Sequence, residues 1–221
     1  MRALLTGPTT TPEPTRPGRA RRSGRILRFI GKSCLTAAFV LASYLAWVLW
    51  GTGIYTGRQQ DQLREEFTQG LEDPRTQPVV PGHAYAIIKI PSIRVNDMVV
   101  EGTETEDLKK GPGHYEKTTD PWQNRGRVGI AGHRTTYGAP FWDLDKVRQG
   151  EVITLITDRG TFAYRVTRSR DILPTQVGVL DPTEQPTLVL TTCTPRFSAA
   201  RRLIVHGVRI PGRGDAPPER A

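Results

Sequence analysis

From Ser33 to Gly57 the chain carries no charged residue. Within this stretch Cys34 to Ile54 (CLTAAFVLASYLAWVLWGTGI) supplies 21 consecutive residues of mainly apolar character. At about 1.5 Å rise per residue, that length matches a hydrocarbon core of roughly 30 Å. Residues 34–55 therefore read as a transmembrane anchor. A cleaved signal peptide is the competing reading, but its apolar core is about 7–15 residues long and ends in small residues. Here Trp47, Trp50 and Tyr55 occupy that end. These aromatics suit a membrane interface, and the basic residues before the span place the N-terminus in the cytoplasm by the positive-inside bias.

Charge distribution supports the same topology. The chain of 221 residues has 31 Lys+Arg against 22 Asp+Glu, a formal net charge of +9. Such a balance would ordinarily raise nucleic acid as a partner. Residues 1–33, however, hold eight basic residues (Arg2, Arg16, Arg19, Arg21, Arg22, Arg25, Arg28 and Lys32) against Glu13 alone. Their +7 leaves only +2 for the remainder of the chain. No nucleic-acid partner is expected, since neither a Gly-rich phosphate loop nor interleaved aromatic and basic residues occur. The Thr, Pro, Gly and Arg of residues 1–33 imply a disordered cytoplasmic tail.

Residues 56–82 end in Pro74, Pro78 and Pro81 and read as an extracellular stalk. Residues 83–211 then offer short runs rich in Val, Ile and Tyr between Gly, Pro, Asn and Asp, from AYAIIKI to RRLIVHGVRI. This pattern predicts an all-β domain, a closed barrel of about eight strands with short helices near 104–110 and 141–147. Asp158-Arg159-Gly160 predicts a tight hairpin between EVITLIT and TFAYRVT. Residues 212–221 read as a frayed tail.

Cys34 and Cys193 are the two cysteines, and a bilayer separates them in this topology. Cys193 consequently lacks an intramolecular disulfide partner. A thiol left over outside the cell is buried and inert, bridged to another molecule, or reactive. Its place at the end of Leu188-Val189-Leu190-Thr191-Thr192, before Thr194-Pro195, puts it at a strand terminus on a barrel rim. A nucleophilic thiol needs a proton-transferring neighbour. Among His83, His114, His133 and His206, His133 stands at the end of RVGIAG, again where a strand meets a loop, whereas His206 lies mid-strand with a packing role. Acyl transfer also needs a donor to the developing oxyanion. Arg201 and Arg202 open the strand after the Cys loop, and alternation points them to opposite faces, so one of the two can serve.

AGH ending one strand, LTTC ending a later one and R-L-I-V opening the next together resemble the sortase family of Gram-positive surface transpeptidases. The resemblance spans roughly Tyr85 to Ile210 and implies a small closed barrel behind an N-terminal membrane helix. It carries the family's nucleophile onto Cys193, its His onto His133 and its Arg onto Arg202. Val189 departs from the Thr that opens the family's T-L-x-T-C strand. The phrase His133-Arg134-Thr135-Thr136-Tyr137-Gly138-Ala139-Pro140-Phe141, with Cys-Thr-Pro, is most similar to class E enzymes of actinobacteria. Class C pilus polymerases carry an Asp-Pro-aromatic lid before the barrel. Asp120-Pro121-Trp122 here falls inside the barrel sequence, so it does not correspond to that lid.

The resemblance implies a transpeptidase that cleaves a Leu-Ala-x-Thr-Gly-like sorting signal between Thr and Gly through a thioacyl intermediate. The implied acceptor is lipid II or another peptidoglycan amine. Tyr115, Tyr137 and Thr192 are candidates for substrate contact. The rivals are a membrane-tethered cysteine peptidase using water, a class C-like polymerase, and a scaffold module with a buried thiol. No metal or other cofactor is expected. Glu101-Gly102-Thr103-Glu104-Thr105-Glu106-Asp107 reads as a solvated helix start in preference to a calcium site, which needs six to eight shaped oxygen ligands.

Overall fold

The computed structural model describes residues 19–72 and 80–212. Residues 1–18 of the basic tail, 73–79 of the stalk and 213–221 of the C-terminal tail lie outside the described residues. The chain divides into two units, Met1–Leu45 and Ala46–Ala221, each taken by itself.

The first unit holds most of helix α1 (Arg19–Ala46). Helix therefore begins well inside the region that composition assigns to a disordered tail. The helical run Gly24–Leu71 contains a segment long and apolar enough to cross a membrane. Leu35, Phe39, Leu41 and Tyr44 are all exposed on α1. Apolar side chains left uncovered along a helix suit lipid as their surrounding medium.

The second unit opens with a π-helical turn (Trp47–Gly51) and helix α2 (Thr52–Glu72). Eight strands follow: β1 (Ala84–Ile90), β2 (Val95–Glu101), β3 (Gly113–His114), β4 (Arg127–Ala131), β5 (Val152–Thr157), β6 (Gly160–Ile172), β7 (Thr187–Thr194) and β8 (Arg201–Arg209). They close into a barrel in the order β1-β2-β3-β4-β7-β8-β6-β5. Two neighbouring pairs, β2 with β3 and β4 with β7, run parallel. The expected hairpin joins β5 to β6 with Thr157 opposite Gly160. There the Thr157 hydroxyl donates to the Gly160 carbonyl at 3.1 Å and accepts the Arg159 N–H at 3.1 Å. Gly160 has φ 140, a region open to residues without a Cβ. The expected short helices are α3 (Thr105–Leu108) and a 3₁₀ turn at Leu144–Lys146.

Alternation along the strands produces two faces. Inward residues such as Ile88, Ile130, Leu155, Tyr164, Leu188 and Val205 form the main core. On the outer face Ile172, Val189 and Ile204 pack with Val179 and Leu180 from the β6–β7 connection. A third cluster changes the stalk reading. Leu63 and Phe67 of α2 are buried with Met98 and Val100 of β2, so this part of the expected spacer belongs to the domain's packing.

The acidic stretch also differs from its expected solvated state. Glu101 is buried and accepts from His114 Nδ1 at 2.8 Å, while Asp107 is buried within α3. His114 stacks on Tyr85 with ring centroids 4.2 Å apart, and the Tyr85 hydroxyl donates to Asp120 Oδ1 at 2.9 Å. A buried carboxylate is tolerable because this network surrounds it. Among the described residues, no group of His, Cys, Asp and Glu has the arrangement of a metal site.

Candidate active site

Strand β7 lies between β4 and β8, and Cys193 is near its C-terminal end. On one side the antiparallel register pairs Cys193 with Arg202. Cross-strand partners share a face, so the register selects Arg202 over Arg201 as the arginine beside the thiol. Arg202 follows the outward parity of Ile204, whereas Arg201 follows that of the inward Leu203.

On the other side, β4 and β7 pair in parallel up to Ala131 opposite Thr191. The pairing continues beyond the assigned strand, where the Gly132 N–H donates to the Thr191 carbonyl at 3.0 Å. The Thr192 hydroxyl in turn donates to the Gly132 carbonyl at 2.7 Å. One residue further on, the same register would set His133 beside Cys193. Cys193 and Arg202 are thus direct cross-strand partners, and His133 stands just past the end of β4, the strand on the other side of β7.

The electrostatics of these residues follow from their half-buried position on the rim. Burial lowers the pKa of His133 below its ordinary 6.5. Its Nε2 is buried without a hydrogen-bond partner among the described residues. Arg202 donates through Nη1 to the carbonyls of Ala199 at 3.0 Å and Arg201 at 3.2 Å. These bonds brace a permanently charged head beside a half-buried thiol. A nucleophile, an unpartnered imidazole and a cationic donor at these strand ends can carry out acyl transfer.

Tyr115 lies on the same outer face. A Cβ at Gly129 would stand 2.9 Å from Tyr115 Cδ2, so the absence of a side chain there lets the ring settle onto β4. Its hydroxyl is 2.9 Å from Thr191 Oγ1, two residues before the thiol. Tyr137 packs beside His133, with ring centroids 5.1 Å apart. Thr192 requires a correction. It is buried, with the parity of the inward residues Leu188 and Leu190, and its hydroxyl bridges β7 to the backbone before His133. It ties β7 to the end of β4 and points to the core side of the barrel.

A clamp between the loops after His133 and Cys193 had escaped the sequence reading. Arg196 donates to the Trp142 carbonyl from Nε at 3.2 Å and Nη2 at 3.1 Å. The same Nη2 contacts Asp143 at 3.1 Å and Asp145 at 3.3 Å. Buried Arg134 shares Asp145 at 2.8 Å. Alternating Asp143 and Asp145 were the available signal, but their cations lie on both loops, one of them far along the chain.

The family model described as the sortase domain matches residues 88–210. Sortase SrtE1 of Streptomyces coelicolor is 30% identical over 228 residues, covering 93% of this chain. The chain spans 64% of that relative's length. The crystal structure of sortase E1 from the same organism, with a tripeptide in its active site, has a TM-score of 0.56 and 33% identity, covering 59% of this chain and 90% of that one. A sortase D5 transpeptidase of Clostridium perfringens has a TM-score of 0.63 and 28% identity, covering 69% of this chain and 99% of that one. With its barrel order and the extent of the domain match, the chain belongs to the sortase family.

Proposed function

We propose that this chain is a membrane-anchored cysteine transpeptidase of the class E type, acting on sorting signals outside the cytoplasmic membrane. The observation that carries the reading is the pairing of Cys193 with Arg202, with His133 just past the end of β4 on the other side of β7. In this mechanism the Cys193 thiolate attacks the Thr carbonyl of a Leu-Ala-x-Thr-Gly-like signal. Arg202 stabilises the oxyanion, and collapse of the tetrahedral species breaks the Thr–Gly bond, with His133 delivering a proton to the departing amine. A cell-wall amine, of lipid II or peptidoglycan, then attacks the thioester and releases the thiol.

Because burial holds His133 below 6.5, its imidazolium is a minority form at neutral pH. The reactive thiolate–imidazolium pair is correspondingly a small fraction of the enzyme. The span and the basic tail support an N-terminus in the cytoplasm and a catalytic domain at the surface where an acceptor lipid would lie. Tyr115, bonded to Thr191, and Tyr137, packed beside His133, are proposed to contact the signal.

The test incubates the purified chain with a Leu-Ala-x-Thr-Gly peptide, with and without a Gly amine, and follows adducts and products by mass spectrometry. A thioacyl adduct on Cys193 and a new amide product are expected, and Cys193→Ala removes both. Turnover retained by that variant overturns the scheme. Acid product alone, even with amine present, assigns a peptidase.

A further inference from the structure

Three consecutive residues after His133 have left-handed backbone: Tyr137 at φ 51, Gly138 at φ 72 and Ala139 at φ 46. For Tyr and Ala this region is unfavourable and persists only where surrounding contacts impose it. Within the loop, Ala139 N donates to the Thr136 carbonyl at 2.9 Å and Trp142 N to the Ala139 carbonyl at 2.9 Å, and α2 supplies a further contact. The Tyr137 N–H donates to Thr52 Oγ1 at 3.1 Å. Thr52 spends its own hydroxyl proton on the Val48 carbonyl at 2.9 Å, leaving a lone pair for Tyr137.

Close backbone approach adds shape to this bond. A Cβ on Gly53 would stand 3.9 Å from Gly138 N, and one on Gly138 would stand 3.3 Å from Thr56 Cγ2. The helix is itself fixed to the barrel. Thr56 donates to the Lys109 carbonyl at 2.8 Å, and Gln60 accepts from Met98 N at 2.7 Å while donating to Met98 O at 2.9 Å. Tyr137 then carries the effect inward through its ring against that of His133, 5.1 Å away by centroid at 37°.

We propose that Thr52, the first residue of α2 and within the last four residues of the apolar 34–55 segment, is a positioning residue for His133, acting through the left-handed Tyr137–Ala139 turn. The proposal rests on the assignment of His133 as the proton donor. Thr52 makes the barrel-bound helix a working part of the enzyme, since loss of its lone pair leaves the Tyr137 N–H without that partner where the unfavourable backbone begins. The Tyr137 ring then relaxes away from the imidazole, water reaches His133, and its lowered pKa returns toward 6.5.

The experiment compares the full chain in lipid nanodiscs with Thr52→Val, which keeps the shape and removes the hydroxyl, and Thr52→Ser, which restores it. For Thr52→Val, kcat with the sorting peptide is expected to fall on the order of ten- to a hundred-fold with KM unchanged, because small misplacement of a reacting group has that effect. The His133 ring signals in NMR are expected to titrate at higher pH, and Thr52→Ser to recover both values. Wild-type kcat and titration in Thr52→Val overturn the proposal. Equal loss in both variants, with lowered Tm and no change in His133 titration, overturns it in favour of plain stability. A wild-type chain that forms no thioacyl adduct overturns the transpeptidase reading instead, and the NMR titration still decides the role of Thr52 because it needs no turnover.

Discussion

Cys193 and Arg202 are register partners across β7 and β8, and both project from the outer face of the barrel. Arg201, one residue away, carries the same charge with the opposite parity and donates through Nη2 to the Asp171 carbonyl at 3.1 Å. Two neighbouring arginines of identical chemistry are thereby divided between the site and the strand edge.

Arg202→Ala is therefore expected to lower kcat on the order of 10²–10³-fold, the effect of losing an oxyanion donor. Arg201→Ala should change it little. Arg202→Lys should recover only part, since an ammonium is a compact point charge without the planar, delocalised set of donors of a guanidinium. Steady-state kinetics on the three variants checks the division; equal losses at 201 and 202 would contradict the parity argument.

Burial lowers the His133 pKa, so the neutral imidazole dominates above the depressed value. As pH falls through that value, the neutral enzyme is converted to imidazolium with a protonated thiol, which cannot attack. The acid limb of kcat/KM should consequently lie below 6.5. Tyr137→Ala removes the ring that helps shield His133 and should move the limb upward. A limb at or above 6.5 in the wild type would count against His133 as the titrating group.

Arg134 is 4% exposed, and its charge is met by Asp145, whose side chain is 46% exposed. Asp145→Ala leaves a buried guanidinium uncompensated, an effect of about 3–5 kcal/mol in fully buried pairs, and the low end is expected for this half-open carboxylate. Arg196→Ala removes only partly exposed contacts and should cost roughly 1 kcal/mol or less. Urea denaturation of both variants tests the ranking.

Phe67 is 4% exposed against Met98 and Val100. Phe67→Ala should destabilise the domain by about 3 kcal/mol or more, as for other buried aromatics. A thermal midpoint unchanged from wild type would restore the reading of α2 as a free spacer.

The polar stretch RQQDQLREEFTQG conceals this packing, because much of α2 faces solvent and its apolar residues are sparse. Leu63, Phe67 and Leu71 recur at intervals of four, a helical stripe that gives no indication of which surface receives it. Most strands were legible since each buries alternate Val, Ile and Leu between turn residues, but the two-residue β3 has too little pattern to announce itself. Cys193 and His133 stood out at strand ends beside loops. The choice between Arg201 and Arg202 required cross-strand register, which the family resemblance supplied and alternation alone could not. Thr192 was misassigned for the complementary reason: adjacency to Cys193 in sequence means opposite faces in a strand.

His206 provides a last test, independent of chemistry. It is 8% exposed, and its Nε2 lacks a hydrogen-bond partner among the described residues. Desolvation, followed by the positive charges of Arg168, Arg170 and Arg127, lowers its pKa to about 4. Between 6.5 and that value the unfolded chain binds the proton that the folded one refuses. The stability associated with a neutral His206 is thus fully present above 6.5 and declines as pH falls toward about 4, by roughly 3 kcal/mol at most. His206→Gln cannot titrate in this range and should show a flatter decline in urea midpoints measured from pH 7 to 4.5. Parallel declines in the two proteins would mean that His206 accepts its proton in the fold, against the burial and the three arginines around it.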